Sequence, residues 1–134
     1  MMKYMASGLV PALFGLMSLP VMAEEASWSC RNSDFEISCV DGACASSEAF
    51  TPMSVHVSPS EFSLCAYTVC NEGPTTQYTV LGDLMIFGSD RLVSNYVGAE
   101  EGQFETAVVT LDTVSGAATI HWAGPFQTPA VCEL

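Results

Sequence analysis

Six cysteines are the residues whose type and spacing promise the most chemistry in this 134-residue chain. Five of them fall between Cys30 and Cys70, and the sixth, Cys132, stands two residues from the end. Thiols gathered this way could hold a metal, exchange with other disulfides, or be oxidised into structural bridges. Cys39–Cys44 and Cys65–Cys70 are both Cys-x4-Cys pairs, at the edge of the spacing that structural zinc uses. No Cys-x-x-Cys pair occurs, and that motif is one of the settings that depress a thiol pKa for redox exchange. The choice therefore turns on the compartment.

The first residues supply it. Lys3 is a short positive start, Gly8 to Met17 is almost wholly apolar, Pro20 breaks any helix, and Val21-Met22-Ala23 places small or modest residues before a cleavage point. This reads as a secretory signal peptide over 1–23. A membrane anchor wants about 20 predominantly apolar residues in a row, and here Pro11, Gly15 and Pro20 interrupt the run. Cys30 follows Ser27-Trp28-Ser29 rather than a small aliphatic triplet, which argues against a lipoprotein. The expected mature chain, 24–134, is one domain without stable membrane insertion, exported to the periplasm or the exterior.

In that setting six cysteines read as three disulfides, and oxidised sulfur cannot serve as a thiolate ligand, so no metal and no cofactor are expected. Asp41-Gly42 between Cys39 and Cys44 is a hairpin turn signal that brings the two Cβ atoms together, predicting a local bridge. Cys65 and Cys70 repeat the gap around a strand-like Ala-Tyr-Thr-Val. Positions five apart in a straight strand face opposite sides, so a bridge there requires a bend or bulge. That leaves Cys30 to clasp Cys132 across nearly the whole domain. The competing arrangement exchanges partners within the cluster, Cys39 with Cys70 and Cys44 with Cys65.

The remaining reactive side chains form no recognisable catalytic set. His56 and His121 occupy outward positions of expected strands, and no Gly-x-Ser-x-Gly or comparable nucleophile turn is present. Glu100, Glu101 and Glu105 gather around Gly102, and Asp83 and Asp90 flank another strand, without the Asp-x-Asp-x-Asp-Gly order of a calcium loop. The expected protein is not an enzyme. After Ala23 the chain holds 15 acidic residues against Arg31 and Arg91, a formal charge of −13. Nucleic-acid binding needs clustered Lys and Arg and is excluded; a cationic protein is the partner such charge favours.

The elements that must position these residues are short strands. Alternating or two-faced apolar patterns mark Ser27–Arg31, Asp34–Cys39, Pro52–Val57, Glu61–Cys70, Gln77–Leu81, Asp83–Phe87, Arg91–Tyr96, Phe104–Leu111 and Ala117–Trp122. Asn71-Glu72-Gly73-Pro74 reads as a strong turn, Gly88-Ser89-Asp90 as a break, Asp112 to Gly116 as the turn of the clearest hairpin, and Pro125 and Pro129 as marks of an irregular tail. About nine short strands with frequent turns predict an all-β fold, a small antiparallel barrel with a β-sandwich as the alternative. Closure favours the barrel, because it removes exposed edges. Most of Trp28, Tyr67, Tyr78, Tyr96, Phe104, Trp122 and Phe126 are expected in the core.

Tyr96, with Asn95 before it and Glu100 and Glu101 after it, is the candidate interaction site, since an aromatic beside loop carboxylates suits a basic protein surface. In size, acidity and strand pattern the chain resembles the small disulfide-bearing periplasmic barrels that inhibit lysozymes, and Ser115-Gly116 is a two-residue echo of their inhibitory loop. The resemblance implies a noncatalytic domain that binds or inhibits a cationic protein such as a lysozyme. The other reading is a lipocalin-like barrel that holds a small ligand in its mouth.

Overall fold

A computed structural model describes residues 15, 25–122, 124 and 126–134. Apart from Gly15, the expected signal peptide lies outside the described residues. Eleven strands follow one another: β1 (Trp28–Asn32), β2 (Glu36–Val40), β3 (Ala43–Ser47), β4 (Met53–Val57), β5 (Glu61–Ala66), β6 (Val69–Pro74), β7 (Gln77–Leu81), β8 (Leu84–Ser94), β9 (Glu105–Asp112), β10 (Ala117–Trp122) and β11 (Phe126–Glu133). Every pairing is antiparallel. The order β1-β4-β5-β6-β8-β9-β10-β11 returns to β1, because β1 pairs β4 on one side and β11 on the other. Eight strands thus close into a barrel, and the sandwich alternative is set aside. The β2–β3 hairpin and β7 stand outside it, on β11 and β8 respectively.

Eight strands leave an interior just wide enough for side chains to fill. The alternation of β4, β5, β9 and β10 supplies them: Val57, Phe62, Leu64, Val109, Leu111 and Ile120 point inward and are buried, joined by Phe87 and Leu92 from β8. The core aromatics are therefore Phe62 and Phe87. Trp28 and Trp122 only flank the core, while Tyr67, Tyr78, Tyr96, Phe104 and Phe126 are exposed, against the sequence expectation. The pleat explains it: each exposed ring lies at an outward position, on an outlying strand or in a loop.

All three expected bridges are formed: Cys30–Cys132, Cys39–Cys44 and Cys65–Cys70. In each, the two cysteines face one another across directly paired strands, with Cα atoms 4.0 Å apart. Asp41 and Gly42 take φ of 51° and 79°, the pair of positive values a two-residue hairpin turn demands. The bend required between Cys65 and Cys70 is a full reversal at Tyr67, φ 54°, so the expected single strand Glu61–Cys70 is instead the hairpin of β5 and β6. Three bridges in one chain fit an oxidising compartment. No helix among the described residues is long and apolar enough to cross a membrane.

Three breaks read from the sequence are continuous strand in the structure. Asn71 to Pro74 belongs to β6, where Gly73 lets the backbone pass Arg91: a Cβ there would stand 2.3 Å from its carbonyl oxygen. Gly88 to Asp90 lies inside β8: Gly88 and Ser89 pair regularly with Val108 and Ala107, and the register against β9 shifts only after Ser89, where Asp90 and Arg91 form a bulge before Leu92. Pro129 sits inside β11, at the point where that strand's second neighbour changes from β2, paired at Phe126 and Gln127, to β1, paired from Ala130 onward. A missing N–H is tolerated at such a switch.

Candidate functional site

β6 and β8 run side by side at the end of the barrel that carries the β5–β6 turn and the β8–β9 loop. Asn95, the first residue beyond β8, fastens the two: its N–H donates to the carbonyl of Cys70 at 2.9 Å, and its Oδ1 accepts from the Cys70 N–H at 2.8 Å. Asn95 is thus a positioning residue, its exposed side chain laid against the Cys65–Cys70 hairpin. Its consequence is to set Tyr96 beside the strand that begins just past Tyr67. Tyr67 is 75 % exposed, Tyr96 62 % and Val97 94 %.

The loop that follows folds on itself. Ala99 N–H donates to the Tyr96 carbonyl at 3.1 Å, Gln103 N–H to that of Glu100 at 3.3 Å, and the Gln103 side-chain amide to the Glu100 carboxylate at 2.9 Å. Glu101 and Gly102 are left at the tip, exposed. At the loop's far side Phe104 is half exposed, with the Arg91 guanidinium over its ring, 5.6 Å from the centroid. Next to it Glu105 accepts from Trp122 Nε1 at 3.3 Å. Tyr96, Glu100 and Glu101 thus lie on one loop, at the rim, the end of the barrel that also exposes Tyr67, Val97 and Phe104, and Asn95 is spent on structure. Tyr67 was missed because its segment read as strand; a positive-φ turn forced by a five-residue disulfide spacing is the signal that marks it.

Outside the rim, the described residues offer little chemistry. His56 accepts or donates at Nδ1 to Ser29 Oγ, 3.2 Å away, on the outer wall, beside an open recess of about 650 Å³ that includes Ser63 and Glu72. The Glu72 carboxylate takes a hydrogen bond from Ser63 at 3.4 Å and not from the imidazole, so no third group orients the histidine for general-base work. His121 meets Gln127 at 3.2 Å in the same exposed manner. No group of three metal-ligating side chains occurs among the described residues.

Ser115-Gly116 lies at the opposite end of the barrel and is the β9–β10 turn. Asp112 Oδ1 accepts the N–H groups of Val114 at 2.9 Å and Ser115 at 3.2 Å, and the Ser115 bond, then that of Val114, hold its carboxyl below the ordinary 3.8. Gly116 has φ 76° and donates to Asp112 O at 2.8 Å. The two-residue echo thus sits in a hairpin turn built by Asp112.

The fold and rim define a class: a closed eight-stranded antiparallel barrel, stapled by three cross-strand disulfides, with an acidic and aromatic loop at one end. No protein-family model, no curated protein and no solved structure matches the chain.

Proposed function

We propose that this protein is a noncatalytic interaction domain, exported to the periplasm or the exterior, that binds a basic protein through the rim formed by Tyr67, Tyr96, Val97, Glu100 and Glu101. The observation that carries the reading is the exposure of Tyr67, Tyr96 and Val97 at the same end of the barrel as a carboxylate-bearing loop. Large rigid rings in solvent cost the free protein apolar hydration that only a partner removes, and rings flanked by acids suit a cationic surface. The chain's acid excess speeds the encounter with such a partner. A lysozyme, small and strongly basic, has the required chemistry. The filled interior supports this reading over a ligand held in the barrel mouth, since Phe62, Phe87 and Leu64 occupy the space that a ligand would take.

The test is calorimetric titration of the mature protein with a lysozyme at rising salt, in parallel with the Tyr96→Ala/Glu100→Gln/Glu101→Gln variant. The expected result is saturable binding that weakens as salt rises and falls at least tenfold in the variant. Absence of binding at low salt, or equal binding by the variant, refutes the proposal.

A further inference from the structure

Barrel closure hides the strand edges of this sheet except on the outlying strands. β7 pairs with β8 alone among the described residues, and all five of its residues are exposed. Natural edge strands are usually blunted by charge, proline or a bulge. β7, with the sequence Gln-Tyr-Thr-Val-Leu, has none of these in a chain that carries 15 acidic residues. It presents Tyr78 and Val80, 40 % and 53 % exposed, on the face that continues Phe87 of the core, with the Tyr78 and Phe87 rings 5.2 Å apart. The other outlying strand, β3, offers only Ala, Cys and Ser side chains.

The hairpin fixes which groups face the open edge. Leu81 and Leu84 pair across the two-residue Gly82-Asp83 turn, with Gly82 at φ 59°. The pair that closes a two-residue turn is hydrogen-bonded, and hydrogen-bonding direction then alternates. Leu81, Thr79 and Gln77 direct their backbone groups to β8, which leaves those of Tyr78 and Val80 unpaired on the outer side. We propose that this edge is a self-association surface whose occupant is the β7 strand of a second copy, paired antiparallel about a two-fold axis at Thr79.

That register is self-complementary at every level. Tyr78 of each copy lies opposite Val80 of the other as a hydrogen-bonded pair, so the four outward N–H and C=O groups of each strand are used. Thr79 meets Thr79 as the non-hydrogen-bonded pair. Aromatic with β-branched, and Thr with Thr, are among the side-chain pairs that stabilise adjacent strands. The isologous contact closes at two copies and uses up the β7 edge of each. Five paired residues per chain fall short of a standard interface, so the dimer is a transient one. The two copies repel through their net charge, so added salt strengthens it.

Sedimentation equilibrium of the mature protein over a concentration series, at low and high salt, tests this. Two variants accompany it. Val80→Pro removes an N–H directed at the open edge and spares the bonds to β8; Thr79→Glu sets like charges face to face at the axis. Melting temperatures within a few degrees of the unaltered protein confirm that each variant folds. The expected result is a concentration-dependent dimer that gains with salt and is weakened at least tenfold by either substitution. A protein that remains monomeric up to about 1 mM, or a dimer indifferent to both folded variants, overturns the proposal.

Discussion

Severing the Cys30–Cys132 bridge is the perturbation whose effect the structure fixes most closely. This bridge joins β1 to β11, the seam at which the first and last strands close the barrel, and spans a sequence separation of 102. The chain-entropy relation assigns a loop of that length about 4.7 kcal/mol. Both cysteines are buried in the core, so alanine at each position also removes packed sulfur, worth about 1 kcal/mol more. With an unfolding entropy of about 2.1 cal/mol/K per residue, a loss of about 5–6 kcal/mol lowers the melting temperature of a domain this size by roughly 20–25 °C. The Cys39–Cys44 bridge is the internal control. Its sequence separation is 5, and among the described residues its hairpin pairs with the barrel sheet at Phe126–Ser38 and Gln127–Ile37. The same relation gives it about 2 kcal/mol, most of it confined to local opening of an exposed hairpin rather than to global unfolding. Differential scanning calorimetry of Cys30→Ala/Cys132→Ala against Cys39→Ser/Cys44→Ser, both without reductant, measures the contrast. Similar losses in the two variants would refute the argument that loop length and burial at the seam set the hierarchy.

Two further outcomes follow from single positions. Asp112, held below its ordinary 3.8 by the Ser115 and Val114 N–H groups, adds stability that is present above 3.8 and is lost as pH falls through its lower folded value; Asp112→Ala should therefore flatten the acid limb of the stability profile, and urea midpoints measured from about pH 5 down to about pH 2 that parallel the unaltered protein would contradict this. Gly73→Ala drives a Cβ to 2.3 Å from the Arg91 carbonyl, where backbone must move, while Gly42→Ala meets open space and only the strain of φ 79°. The first should cost about 3 kcal/mol or more and the second about 1 kcal/mol, read from thermal melts of the two variants.

The elements legible in the sequence are those whose signal is local. Asp41-Gly42 carries its turn type in its own φ requirements, and the alternation of β4 and β9 names its buried face without reference to any neighbour. What misled were glycine and proline used for something other than a turn. Gly73 marks the approach of β6 to Arg91, Gly88-Ser89-Asp90 the run of β8 into a bulge at Asp90-Arg91, between its pairing with β7 and its pairing with β6, and Pro129 the handover of β11 from β2 to β1. Each is defined by a strand distant in sequence, and the same residue types punctuate both cases. The rim shows the same division. Tyr96 and its acidic loop are neighbours in sequence, whereas their placement at the same end of the barrel as Tyr67 depends on Asn95 reaching Cys70 across 25 positions.

The two proposed interaction surfaces lie at opposite ends of β8, the rim at its C-terminal end and the β7 hairpin at its start. Their physics assigns them opposite responses to one variable. Binding of a basic protein at the rim draws on attraction between unlike charges, which salt screens, so affinity falls as salt rises. Pairing of two acidic copies through an uncharged edge works against like-charge repulsion, which salt also screens, so association rises. A protein that dimerised through the rim would behave as the second case yet lose its dimer on substitution of Tyr96. The salt sign and the two sets of variants therefore separate which of the two proposed surfaces is used.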